Sequence, residues 1–309
     1  MRAAVLSEIG QPLAVVEIPV VFGNGTFFDD EIGLKQGQVL IQVLCAGICG
    51  SQLQEIDGIK GDPTHCPHLL GHEGCGIVRG IRADSDGKIK VGDKVVMHWR
   101  KGSGMDVSEG GTFHGIRSGP VTTFSEYTIV SENRVTPIPD DVPNDLAALL
   151  GCALSTALAL VENEADVPNT KTAFVIGCGG LGLALILALK AAGVKHVFAT
   201  DINEGKLPIV DSLKANFLFN QAAGFDLVID TTGQFKHLAT GRYISLQKGG
   251  SEGGGFNPDK DIPRYVQMWR DGKLDDYSKL ITHRIKLDDI NKGIQLMRHG
   301  KAGRVMIEL

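Results

Sequence analysis

The chain has 309 residues, enough for two domains, and its 43 % hydrophobic and 22 % charged content is that of an ordinary soluble globular protein. A formal net charge of −5 argues against a nucleic-acid partner. Six cysteines, at 45, 49, 66, 75, 152 and 178, show no framework spacing and fit reduced thiols in a cytoplasmic setting. The opening MRAAVLSEIGQPLAVVEIPV lacks the long apolar core and cleavage site of a signal peptide. LGLALILALKAAG is too short to span a bilayer, so no membrane partner is expected.

In chain order, short apolar or β-branched runs at Ala3–Leu6, Leu13–Ile18, Val39–Leu44, Gly76–Val78 and Lys94–His98 are separated by glycine turns and predict a barrel-like β domain. Val20–Gln36 follows no assignable pattern. Within the β region, Cys49 offers a soft thiolate and His72 an imidazole, both ligand types that zinc takes. They lie 23 residues apart, too far for a local knuckle, so a further ligand must come through tertiary folding. Cys152, in LLGCALST, is the candidate. Three such ligands leave one position open, as a catalytic zinc requires. Taken alone, the same residues also read as two buried thiols and a satisfied histidine. Trp99, at a strand end, reads as a core or interface residue. Residues 101–120 are glycine-rich and read as an irregular loop. Phe124–Val130 is a further strand, Pro137 to Pro143 a linker, and Asp145–Leu160 a helix that places Cys152 in or beside it.

The second half opens with the strand pattern Thr172–Ile176, which runs into Gly177-Cys178-Gly179-Gly180-Leu181-Gly182 and then the apolar helical run Leu183–Ala192. A GxGxxG between strand and helix predicts a dinucleotide fold. Gly177 makes the tight turn, Gly179 admits the pyrophosphate, and Gly182 lets helix and strand pack closely. The next strand, His196–Thr200, ends at Asp201, which lies 19 residues past Gly182. A carboxylate there suits the adenosine ribose and repels a 2′-phosphate, which favours NAD over NADP. Phe225–Asp230 is another buried strand, and the following Thr-Thr-Gly reads as a cofactor-side loop.

These motifs together resemble the zinc-containing alcohol dehydrogenases of the medium-chain dehydrogenase/reductase superfamily. The resemblance is carried by GICGS at 47–51, GHEGCG at 71–76, VGDKV at 91–95, GCALST at 151–156, GCGGLG at 177–182 and GKAGRVMIEL at 300–309. It implies an α/β chain with a GroES-like catalytic domain over 1–154 and 255–309 and a Rossmann domain over 155–254. It also implies that Cys49, His72 and Cys152 hold the catalytic zinc, with Glu73 as the acid beside it. Ser51 would meet the substrate hydroxyl, Thr156 the nicotinamide and Arg304 a cofactor phosphate. Trp99 and Gln54 would border the substrate pocket. The expected cofactors are NAD and one zinc per chain, the partner a small-molecule alcohol, and the assembly a homodimer or homotetramer.

The chain departs from the family pattern in several places. Residues 97–119 hold no cysteine, so a structural zinc should be absent. Gln52 and Gln54 stand where members have aspartate and histidine, and glutamine cannot relay a proton. The chain is short around Phe219–Phe225 and again around Arg242–Gly255, where a core strand is expected; missing residues explain this better than a Rossmann half with a poorly buried sheet. The leading expectation is an NAD-dependent zinc dehydrogenase of an alcohol, polyol or sugar-like hydroxyl. A zinc-free reductase of the same superfamily and a non-catalytic NAD-binding protein are the competing readings. His98, Arg100 and Lys101 point to a polar substrate, unless the last two simply begin a solvated loop.

Overall fold

The structure, a computed structural model, describes residues 1–19, 34–82, 88–218, 224–232, 242–246 and 250–309. Gln38–Ile48 is the central strand of the first half. Almost every residue in it is buried, so both faces are covered and the sequence shows a continuous apolar run rather than alternation. It pairs antiparallel with Gly74–Arg82, with Tyr127–Ser131 and with the late strand Arg304–Glu308. A Cβ on Gly76 would lie 2.4 Å from the Gln42 carbonyl oxygen, so only glycine permits that strand approach. The register Val305↔Ile48 sets Arg304 beside the start of helix α1, Gly50–Ile56, and beside its N-cap Cys49. Seven strands form this sheet, and a second, five-stranded sheet contains Arg2–Leu6.

The glycine-rich stretch is not wholly irregular. Thr112–Phe113 and Ile116–Arg117 form a small hairpin, with Gly115 in the left-handed region at the turn. The lobe before it is pinned by polar contacts. Lys101 pairs with Asp106 at 2.5 Å, and the Ser131 hydroxyl accepts from Val107 N–H and donates to the Met105 carbonyl.

The expected helix over Asp145–Leu160 is two helices, α2 (Asn144–Leu150) and α3 (Ala153–Asn163), bent by 53°. The alanine and leucine pattern continues across the break, so periodicity does not reveal it. Packing does: a Cβ on Gly151 would lie 2.3 Å from the Met97 carbonyl oxygen, and the Gly151 carbonyl accepts from Trp99 N–H. Cys152 is thus driven out of helical geometry, to φ −149° and ψ −81°, at the N-cap of α3.

The second half holds a parallel sheet in the order Asn216–Phe217, His196–Thr200, Thr172–Ile176, Leu227–Asp230, Arg242–Ser245. The strand expected around 242–255 is therefore present at Arg242–Ser245. Strand order reverses at Thr172–Ile176, so its carboxyl end is the switch point where α/β sheets bind ligands. Helix α4, Gly180–Ala191, starts there and is buried along most of its length, as its unbroken apolar run requires. The helix Pro258–Arg270 buries Ile262, Tyr265 and Val266 in the same core as α3 and α4. Residues 219–223, 233 and 247–249, and most of Val20–Gln36, lie outside the described residues. No single described helix is long and apolar enough to cross a membrane.

His98 follows the strand Lys94–Met97 and is wholly buried. Its Nδ1 lies 2.7 Å from the Arg100 carbonyl and its Nε2 3.0 Å from the Thr136 hydroxyl, which suits a neutral ring. Burial pushes its pKa down from 6.5 to about 4. The unfolded chain therefore takes up a proton that the fold resists. Stability should be unaffected by this group above pH 6.5 and fall by about 3 kcal/mol as pH drops towards 4. Urea unfolding across that range should show His98→Gln flattening this part of the profile. Parallel losses in both proteins would contradict the assignment.

Candidate active site

Three elements meet at one point. The N-cap of α1 supplies Cys49, the turn before Gly74–Arg82 supplies His72, and the break before α3 supplies Cys152. Their ligand atoms all lie within 4.8 Å of one another, with His72 Nε2 3.3 Å from Cys152 Sγ. The Cys49 thiol is held well below its usual range, chiefly by the hydrogen bond from Cys152, whose own pKa that partnership pushes well up. Metal binding would displace whatever thiol proton remains on the pair. Burial pulls His72 down, but its hydrogen bond and charge contact with Cys49 outweigh this and raise it. Two thiols and an imidazole suit zinc, and no fourth His, Cys, Asp or Glu joins the group among the described residues.

Beneath the ligands lies a buried ion pair, Arg304 to Glu73 at 3.0 Å, with side chains 3 % and 0 % exposed. Gly47 makes room for it, since a Cβ there would sit 2.4 Å from Glu73 Oε1. Arg304 Nη1 donates to the Ile48 carbonyl at 2.9 Å, and Glu73 Oε2 accepts from Ala153 N–H at 3.4 Å. Burial pushes the Glu73 carboxyl up and Arg304 opposes it. The pair holds the base of α3, and so Cys152, against the central strand. Arg304 also touches the glycine loop, its Cζ lying 3.1 Å from where a Gly180 Cβ would be.

The glycine loop has the form a pyrophosphate needs. Gly177 adopts φ +91°, and a Cβ on Gly182 would lie 1.8 Å from the Gly177 carbonyl oxygen. A Cβ on Gly179 would meet nothing, so the backbone there is open to a ligand. No side chain caps α4, which leaves its first N–H groups for an anion, and Leu181 packs its side chain into the core behind them. Asp201 accepts from Cys178 N–H at 2.7 Å and from Asn203 N–H at 2.8 Å, which fixes its carboxylate at the loop. These residues fit a dinucleotide.

A cavity of about 850 Å³ borders the ligand cluster and is lined by His72, Gln52, Trp99, His65, His68 and Arg117, among others. Trp99 Nε1 is buried and has no hydrogen-bond partner among the described residues. Ser51 Oγ lies 3.4 Å from His72 Nδ1. Thr156 sits one turn beyond Cys152 in α3, its N–H donating to the Cys152 carbonyl at 2.9 Å. Gln54 is exposed and, two residues along the helix, faces away from Gln52 and lies outside the lining of this cavity. The polar hint from His98, Arg100 and Lys101 is also redirected. His98 is saturated internally, Arg100 donates to the Glu252 carbonyl, and Lys101 pairs with Asp106; none lines the cavity. Sequence reasoning did not single out Gln52 as a contact of the histidine ligand. The signal for it is its place three residues after the N-cap of α1, where a glutamine side chain caps the first turn.

The fold and site define a class: a GroES-like β-rich half joined to a Rossmann half, with a Cys–His–Cys cluster suited to a metal. Residues 35–140 match the alcohol dehydrogenase GroES-like domain. The S-(hydroxymethyl)glutathione dehydrogenase of Paracoccus denitrificans is 27 % identical over 385 aligned positions, covering 99 % of both chains, so it carries segments that this shorter chain lacks. The benzyl alcohol dehydrogenase of Acinetobacter calcoaceticus shares the fold with TM-score 0.78 at 22 % identity, covering 100 % of this chain and 99 % of its own. An alcohol dehydrogenase from E. coli CFT073, solved with NADH, matches with TM-score 0.72 at 20 % identity, covering 100 % and 99 %. Residues 35–140 thus carry an alcohol dehydrogenase GroES-like domain, and along its whole length the chain is similar to proteins named as alcohol dehydrogenases.

Proposed function

We propose that the protein is a zinc-dependent oxidoreductase that moves a hydride between NAD and the hydroxyl of an alcohol, polyol or sugar-like substrate. The convergence of Cys49, His72 and Cys152 carries this reading. When bound, zinc supplies Lewis-acid polarisation of the substrate oxygen and the nicotinamide supplies hydride chemistry. Cys49 and Cys152 as thiolates match the charge of a divalent cation, while Arg304 cancels Glu73. Ser51, whose hydroxyl lies 3.4 Å from His72 Nδ1, is assigned to the substrate proton. Gln54 has no titratable proton, and His68, which lines the cavity, is the histidine placed to pass the proton to water. Thr156 is assigned to the nicotinamide, Arg304 to a cofactor phosphate through its place under Gly180, and Trp99 to the substrate wall. The six free cysteines fit a reducing, cytoplasmic setting and the cysteine-free lobe a single zinc per chain; we assign a homodimer or homotetramer.

A cofactor-reduction screen over primary alcohols, secondary alcohols, polyols and sugar derivatives tests the reaction. Absence of turnover across the panel with zinc bound would favour a non-catalytic protein. Asp201 sets the cofactor expectation. At equal subsaturating concentrations NAD should outperform NADP by about 10²-fold, since placing like charges together costs several kcal/mol, and Asp201→Ala should narrow the gap. Faster turnover of the unaltered protein with NADP would contradict it.

A further inference from the structure

Gln52 is 1 % exposed and meets polar groups on both ends of its amide. Its Oε1 accepts from Cys49 N–H at 3.0 Å. Its Nε2 lies 3.3 Å from Glu55 Oε1, 3.4 Å from Ser51 Oγ and 2.7 Å from His72 Nδ1. The neighbours dictate which way the amide points. A backbone N–H only donates, so oxygen faces Cys49. An ionised carboxylate only accepts, so the NH₂ faces Glu55. That same NH₂ then faces His72 Nδ1. An amide NH₂ has no acceptor capacity, so Nδ1 must be the acceptor and the neutral ring must carry its proton on Nε2. Nε2 is the nitrogen directed at Cys152 Sγ.

A metal bound at Nε2 needs the lone pair of that atom. The neutral ring must then carry its proton on Nδ1, where it meets the NH₂ of Gln52, donor against donor. Turning the amide over offers Oε1 to Nδ1–H. It also sets the NH₂ against Cys49 N–H and breaks the contact with Glu55. In metal sites the partner of the second ring nitrogen is ordinarily an acceptor, and altering it changes metal affinity by about 10–100-fold.

We propose that Gln52 is a positioning residue that selects the tautomer of His72 and thereby weakens the grip of the site on zinc. Uptake of the metal moves the ring proton from Nε2 to Nδ1 through solvent and forces the amide to turn. The inference rests on the metal reading of the Cys49, His72 and Cys152 cluster.

Gln52→Glu supplies a carboxylate that accepts from Cys49 N–H with one oxygen and from His72 Nδ1–H with the other. Its charge would face Glu55, so the test pairs it with Glu55→Gln and uses Glu55→Gln alone as the reference, after unfolding curves show that both chains fold. Zinc release from the full chain to excess chelator should slow by about 10-fold or more in the double variant. In alkaline buffer, nitrogen-15 spectra of the metal-free chain should show Nδ1 unprotonated in the unaltered protein and protonated in the double variant. Equal or faster zinc release, or a protonated Nδ1 in the unaltered neutral ring, overturns the proposal. An unaltered chain that takes up no zinc would instead overturn the metal reading, and the proposal with it, whereas the ring spectra need no metal.

Discussion

Cys152→Ala is expected to empty the metal site and lower kcat/KM by at least about 10³-fold, because the Lewis acid contributes several kcal/mol to this chemistry. Two ligands separated by 23 residues, with no third, do not form a closed tetrahedral set. Cys152 precedes α3 and its side chain carries none of the core packing, so the cofactor half should keep its fold and its NAD affinity. Zinc content, activity and NAD binding measured on one preparation separate these claims. A variant that retains zinc at the level of the unaltered protein would remove Cys152 from the ligand set. One that loses zinc and NAD binding together would show that the residue acts through folding.

Arg304→Met should cost about 3–5 kcal/mol, a large share of the ~5–15 kcal/mol that holds a typical domain. The substitution strands Glu73, which is fully buried and whose Oε1 has no hydrogen-bond donor besides this ion pair among the described residues. It also removes a donor from the Ile48 carbonyl. Burial already raises the Glu73 carboxyl, and without Arg304 the rise should be larger. A carboxyl raised on folding favours the fold while protonated, so the deficit should be small in acid and grow as pH climbs through the unfolded value of 4.5. Glu73→Gln combined with Arg304→Met should recover part of the loss by removing the stranded charge. Denaturant unfolding of the two variants at two pH values decides it. A loss under about 1 kcal/mol for the single substitution would mean that the pair is not a buried charge couple.

The parts of this site that are written locally were legible in the sequence. Gly177, Gly179 and Gly182 announce their role because the turn and the close helix–strand approach both exclude a side chain, and Asp201 follows at the spacing one strand imposes. The ligand cluster was legible as three candidate residue types, but no local spacing joins Cys49 to Cys152, so its assignment to one metal leaned on the family resemblance. What the resemblance did not convey came from tertiary packing. The bend that aims Cys152 arises because Gly151 is pressed against the Met97 carbonyl, which an alanine- and leucine-rich pattern cannot signal. Arg304 carried a single expectation, a cofactor phosphate, yet the strand register also makes it the counter-ion of Glu73. Gln54 and Gln52 were both read as lost relay groups. Helical geometry sends the first to solvent and the second onto His72.

X-ray absorption at the zinc edge on the metal-loaded full chain tests the central claim most directly. One zinc per chain is expected, with two sulfur ligands at about 2.3 Å, one imidazole nitrogen at about 2.0–2.1 Å and a light atom from solvent or substrate in the remaining position. A four-sulfur shell, a shell without sulfur, or no stoichiometric zinc would contradict the assignment of Cys49, His72 and Cys152 as a catalytic metal site.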